Sequence, residues 1–159
     1  MKFGRKALAI GQAGVFPIVM ANDSKSEPGG APVVFVVDDD PSLLELAELV
    51  LAPAGFQVRT FRDPRKALTD YARSKPPPGL VVTDYAMGGL SGLDLIRECR
   101  RLYPRQKTLL ISGTVDEHIY ADAPAKPDGF LAKPFDTDQF IAIARQLTGE
   151  STKPNKTEP

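Results

Sequence analysis

Four short apolar runs, far apart in the chain, each end abruptly in a polar or charged group, and this pattern constrains the fold more than any other feature. Val33-Val34-Phe35-Val36-Val37 runs into Asp38-Asp39-Asp40, and Leu80-Val81-Val82-Thr83 into Asp84. Thr108-Leu109-Leu110-Ile111 stops at Ser112, and Phe130-Leu131-Ala132 at Lys133-Pro134. Near-continuous apolar runs of this length read as strands buried on both faces, as in a parallel sheet. Open parallel sheets bind their ligands beyond the carboxyl ends of their strands. The acids, the hydroxyl and the amine are therefore expected on one rim.

Between the runs, apolar residues recur at helical spacing, which predicts strands joined by crossover helices. Asp40-Pro41 supplies a cap and a first-turn proline for a helix with Leu43, Leu44, Ala47, Val50 and Leu51 on one face, ending near Pro53 and Gly55. Phe56 to Phe61 reads as the second strand. Asp63-Pro64 opens a helix whose Ala67, Leu68, Tyr71 and Ala72 face the sheet, and Pro76-Pro77-Pro78-Gly79 ends it. After the third strand, Leu95, Ile96, Cys99 and Leu102 mark another inner face, with Cys99 expected as a buried thiol. The stretch from Thr114 to about Ala121 is a short helical candidate, curtailed by Pro124 and Pro127. The fifth strand, Gly129 to Ala132, leads to Asp136, which with Gln139 suggests a capping box ahead of Phe140, Ile143, Ala144 and Leu147. The expected fold is α/β: a doubly wound, five-stranded parallel sheet with helices on both faces.

A chain of 159 residues has room for one domain with a sizeable core, since a domain near this length buries roughly 70% of its unfolded surface. Lys and Arg balance Asp and Glu at twenty each, so no overall cationic field points to nucleic acid. The lone Cys99 cannot form an internal disulfide and fits a reducing compartment, the cytoplasm. Lys2, Arg5 and Lys6 precede an apolar stretch from Ala7 to Ala21, the outline of a signal peptide, but Gly11, Gln12, Gly14 and Pro17 interrupt it. The stretch is also too short to span a bilayer, so no membrane partner is expected. The other reading makes Met20 an alternative start. Residues 1–32 are thus expected as a flexible leader, 33–149 as the folded domain and 150–159 as a polar tail.

An aspartate between a strand and a helix usually caps the helix, and Asp40, beside Pro41, is read that way. Asp38 and Asp39, with Asp84 from another strand end, would repel one another unless a cation neutralised them. Oxygen-only ligands on a rigid frame suit Mg2+, which bridges carboxylates and phosphate oxygens. Lys133 and Ser112 are then placed to receive the negative oxygens of a phosphoryl group. Cys99 is not on the rim, and His118, the sole histidine, is expected at the surface, so the nucleophile would be a carboxylate and the intermediate an aspartyl phosphate.

Four pieces taken in order carry a family resemblance: Val37-Asp38-Asp39-Asp40, Val82-Thr83-Asp84-Tyr85-Ala86-Met87, Ile111-Ser112-Gly113 and Ala132-Lys133-Pro134-Phe135. Over residues 33 to 149 the chain resembles the receiver domain of two-component response regulators. The resemblance implies a flavodoxin-like sheet with strand order 2-1-3-4-5. It implies Asp84 as the acceptor of phosphate from a histidine kinase or histidine phosphotransfer protein. It also implies Mg2+ on Asp38, Asp39, Asp84 and the backbone carbonyl of Ala86, with Lys133 on the phosphoryl oxygens. Ser112 and Phe130 would be the switch residues. Where the family commonly carries Pro-x-Met-Asp-Gly, this chain has Met87-Gly88-Gly89-Leu90-Ser91-Gly92, which frees the loop that supplies a metal ligand.

The leading expectation is a stand-alone receiver that signals by docking to a protein. It is a phosphoacceptor signalling domain rather than an enzyme, promoting only its own phosphorylation and dephosphorylation. Two alternatives are a receiver-like module that binds partners without phosphorylation and a haloacid-dehalogenase-like phosphohydrolase. The phosphohydrolase would place its nucleophile at Asp38 and leave Asp84 without a role.

Overall fold

The computed structural model describes residues 30–114, 118 and 120–150. Five parallel strands, β1 (Val33–Val37), β2 (Gln57–Phe61), β3 (Leu80–Asp84), β4 (Thr108–Ser112) and β5 (Gly129–Ala132), form one sheet in the order β2-β1-β3-β4-β5. The helices are α1 (Pro41–Leu51), α2 (Pro64–Arg73), α3 (Gly92–Leu102) and α4 (Thr137–Thr148). Strand order reverses beside β1, so β1 and β3 leave the sheet in adjacent positions with their following loops on the same rim.

Alternation along the strands divides the core into two layers. Val34, Val36, Val82, Leu109, Ile111 and Leu131 pack with Leu44, Ala47 and Leu51 of α1 and Phe140 and Ala144 of α4. Phe35, Val37 and Val81 point the other way, into Phe61, Ala67, Tyr71, Leu95 and Cys99. Successive strand side chains face opposite sides, so a strand covered on both faces is buried at every position. β3 and β4 are buried throughout, whereas the edge strand β2 exposes Gln57 and Arg59. Arg59 shields that edge layer, with its guanidinium 4.9 Å from the centre of the Phe35 ring and 2.9 Å from Asp70.

Local signals fixed the helix starts. Asp40, Asp63 and Asp136 each accept a hydrogen bond from the backbone N–H two residues on, with proline at the first turn of α1 and α2. Gly55 and Gly149 take the left-handed backbone that ends a helix, at φ 103° and 73°. Three expectations differ from the structure. Ala72 is exposed, because the buried row of α2 is Pro64, Ala67 and Tyr71 and Ala72 falls outside it. Leu102 is 40% exposed at the final turn of α3, and its neighbour Tyr103 packs on Tyr71 instead, ring centres 5.7 Å apart. Asp136 is satisfied by the Asp138 N–H, and no reciprocal bond from Gln139 is present among the described residues. The helical candidate after β4 falls partly outside the described residues, and His118 and 120–122 form turns rather than helix.

At the pole opposite the acidic rim, the buried Tyr71 hydroxyl donates to Gln106 Oε1 at 2.7 Å, while Gln106 Nε2 donates to the carbonyls of Pro78 and Lys107. Burial, reinforced by Cys99 and Tyr103, raises the Tyr71 pKa and keeps the phenol protonated as a donor. Burial likewise pushes the Cys99 thiol up to about 12, so it packs as an inert apolar group. Tyr71→Phe leaves a buried amide oxygen without its donor, and the expected loss is about 1–3 kcal/mol in urea unfolding. A midpoint equal to wild type would contradict this role.

Candidate functional site

The ends of the strand ladders fix the rim. Val37 pairs with Phe61 and Thr83, Asp84 with Ile111, and Ser112 with Ala132. Three backbone bonds just past the ladders hold the next residues: Asp38 N–H to Phe61 O at 3.1 Å, Tyr85 N–H to Ile111 O at 2.9 Å, and Lys133 N–H to Ser112 O at 2.9 Å. Asp38, Asp84, Ser112 and Lys133 therefore stand at one level, positioned by sheet geometry rather than by mobile loops.

One carboxylate oxygen from each of Asp38, Asp39 and Asp84 lies within 4.8 Å of the others. Asp38 is 1% exposed and Asp84 8%, whereas Asp39 is open to solvent. Lys133 reaches in from β5, with Nζ 3.1 Å from Asp84 Oδ1 and 3.4 Å from Asp38 Oδ2. Asp38 also accepts the Asp40 N–H at 2.8 Å. Its pKa is nonetheless raised, chiefly by burial and further by the Asp84 charge, against the opposing pull of that N–H and of Lys133. Burial works against the Lys133 charge, but the bond to Asp84 and the charges of both carboxylates outweigh it, and the lysine pKa is raised.

The lysine cannot neutralise the cluster alone. Three carboxylates against one ammonium leave two negative charges in a partly buried site. Oxygen-only donors that converge with surplus negative charge are the ligand chemistry of a hard divalent cation such as Mg2+. The residues present fit that group.

The other residues anticipated for the site lie on β4, on β5 and on the loop after β3. Ser112 is buried at the end of β4, where its Oγ accepts the Thr114 N–H at 3.2 Å. Ala86 is exposed on the loop after β3. Phe130 is half-buried on β5, its ring centre 5.6 Å from that of Tyr120. Asp40 is spent as the α1 cap, and His118 is exposed, both as expected.

Two features of the loop behind Asp84 escaped the sequence reading. Ser91 and Asp94 form a capping box: Ser91 Oγ accepts the Asp94 N–H at 3.1 Å, and Asp94 accepts the Ser91 N–H at 3.3 Å. The Ser91 hydroxyl bond and then the Ser91 N–H lower the Asp94 pKa despite slight burial. Ser-x-x-Asp before an apolar run was the available signal. Ser91→Ala is expected to cost about 1 kcal/mol of stability, read as a lowered urea midpoint. An unchanged midpoint would show that the cap contributes nothing. The second feature is the close approach of Gly92 to the backbone of Asp84.

The family model for the response regulator receiver domain matches residues 34–145. The chain belongs to the response regulator receiver family. The receiver is 36% identical over 119 residues to the C4-dicarboxylate transport transcriptional regulatory protein DctD of Rhizobium meliloti (strain 1021), covering 73% of this chain and 25% of the relative. It is 33% identical to the probable transcriptional regulatory protein TcrX of Mycobacterium tuberculosis, covering 77% of this chain and 54% of the relative. The crystal structure of a response regulator receiver protein from Sinorhizobium medicae WSM419 superposes with a TM-score of 0.66 at 30% identity, covering 75% of this chain and 95% of that one. The receiver thus spans about a quarter to a half of the length of these two curated relatives. Among the described residues, no helix is long and apolar enough to cross a membrane.

Proposed function

We propose that this receiver accepts a phosphoryl group on Asp84 from a histidine kinase or histidine phosphotransfer protein and passes the signal on by docking to a protein. The observation that carries the reading is the convergence of the Asp38, Asp39 and Asp84 carboxylates within 4.8 Å, with Lys133 Nζ 3.1 Å from Asp84. Asp38, Asp39, Asp84 and the carbonyl of Ala86 would hold Mg2+, which when bound offsets the charge between the carboxylates and the incoming phosphoryl oxygens.

An Asp84 carboxylate oxygen attacks phosphorus, a P–O bond forms, and the bond from phosphorus to the donor's leaving group breaks. Lys133 follows the negative charge from the carboxylate to the phosphoryl oxygens. The product carries more charge and more acceptor oxygens than the resting carboxylate, so Ser112 and Lys133 are drawn from their resting contacts toward the phosphoryl oxygens. Their displacement biases the neighbouring loops, with Phe130 following, between two packings.

A phosphohydrolase with its nucleophile at Asp38 would leave without a role the buried Asp84, which Lys133 Nζ meets at 3.1 Å, and this supports Asp84 as acceptor. The balance of twenty basic and twenty acidic residues supports a protein as the receiver's output partner rather than nucleic acid. Acetyl phosphate with Mg2+ tests the chemistry: intact mass should rise by one phosphoryl group and show no rise when EDTA replaces Mg2+. No adduct under either condition would leave an interaction module that works without phosphorylation.

A further inference from the structure

Gly92 opens α3, is buried, and donates its N–H to Tyr85 O at 2.9 Å. A Cβ at this position would lie 2.3 Å from the carbonyl oxygen of Asp84 and 3.1 Å from its carbonyl carbon. The obstacle is backbone. That carbonyl also accepts the Thr83 hydroxyl at 3.0 Å, and the next peptide N–H is tied to Ile111 O at 2.9 Å. On the other side, the capping box on Ser91 and Asp94 fixes the first turn of α3. A side chain at 92 therefore meets two held bodies, the end of β3 and the start of a capped helix, and one of them must move. Leu110 Cδ1, at 3.0 Å, is the far end of a flexible side chain and can give way.

We propose that Gly92 is a positioning residue for phosphoryl transfer. By presenting no side chain, it lets α3 seat directly on the peptide of Asp84 and holds the Asp84 carboxylate where it meets Lys133 and the acids that follow β1. The proposal rests on Asp84 being the phosphoacceptor. A nucleophile displaced by about 1 Å loses roughly 10²-fold in rate, so a shift of a few tenths of an ångström to one ångström predicts a loss of about 10- to 100-fold. Groups that bind the donor through other residues are untouched. The loss therefore belongs to the rate at saturating donor and not to the half-saturating concentration.

Other glycines supply the contrast. Gly79, just before β3 on the opposite rim, has no atom nearer than 3.7 Å to an added Cβ, so Gly79→Ala should leave the rate unchanged. Gly129, at the start of β5 on the opposite rim, is crowded by Leu109 Cδ1 and Leu147 Cδ1 at 3.1 Å each, both side-chain ends. Gly129→Ala thus perturbs the core without touching Asp84.

The experiment measures the rate of acetyl phosphate labelling per folded molecule, with Mg2+, for wild type, Gly92→Ala, Gly79→Ala and Gly129→Ala. Trimethylamine N-oxide is added to all samples to keep destabilised variants folded. A drop of about 10- to 100-fold at saturating donor for Gly92→Ala alone, with unchanged half-saturation, supports the proposal. Wild-type rates in folded Gly92→Ala, or an equal drop in Gly129→Ala, overturn it. So does a Gly92→Ala protein that fails to fold even in the osmolyte, since the glycine would then serve folding alone. If wild type itself takes no label, the failure lies with Asp84 as acceptor, a separate result.

Discussion

Asp84→Asn is expected to abolish the covalent adduct that wild type forms with acetyl phosphate and Mg2+. An amide is not a nucleophile toward phosphorus at neutral pH, and no cysteine or histidine of this rim can substitute. Cys99 is buried with its thiol pushed up to about 12, and His118 is exposed on a turn beyond β4. Asn fits the volume of Asp and can still accept from Lys133 Nζ, which stands 3.1 Å from Asp84 Oδ1. The variant should therefore remain folded, which circular dichroism would verify. Residual labelling at the wild-type level in Asp84→Asn would move the nucleophile elsewhere, and Asp38 would be the next residue to test.

The second large effect is expected at Asp38. Its carboxylate is almost fully buried and its pKa is raised, first by burial and then by Asp84. A carboxyl group that binds its proton more tightly when folded stabilises the fold fully below its unfolded pKa. That contribution is lost as pH rises through the folded value, so at neutral pH the ionised group is a destabilising one. A cation reverses this balance. Asp38→Asn should thus leave the metal-free protein at least as stable as wild type at pH 7 while weakening Mg2+ binding by about 10²-fold, equivalent to about 2.7 kcal/mol. Thermal unfolding with and without Mg2+ reads both effects, because a ligand that binds only the folded state raises Tm according to its affinity. An equal Mg2+-induced rise in wild type and Asp38→Asn would remove Asp38 from the ion's ligands.

Sequence made the strand ends legible because each apolar run had to be continuous to be buried on two faces, and each stopped where the chain met the rim. That rule put Asp38, Asp39, Asp84 and Lys133 on one rim, and the structure brings their charged groups together there. Helix starts were equally plain, since Asp40, Asp63 and Asp136 cap by local backbone bonds that need no tertiary context. Ala72 and Leu102 were misplaced because an amphipathic stripe shows which face is apolar but not how far the neighbouring layer extends beneath it. Gln106 was invisible for a related reason. A buried amide is satisfied by Tyr71, Pro78 and Lys107, partners up to 35 positions away along the chain. Gly92 belongs to the same class: its contact with Asp84 depends on where α3 docks, which no local pattern encodes.

The most direct measurement locates the phosphoryl group. The receiver is incubated with acetyl phosphate and Mg2+, the acyl phosphate is trapped by borohydride reduction, and the modified peptide is sequenced by mass spectrometry. The account predicts reduction at Asp84, within Leu80–Met87, and nowhere else. Reduction at Asp38, or a phosphorylated protein with Asp84 unmodified, would contradict it.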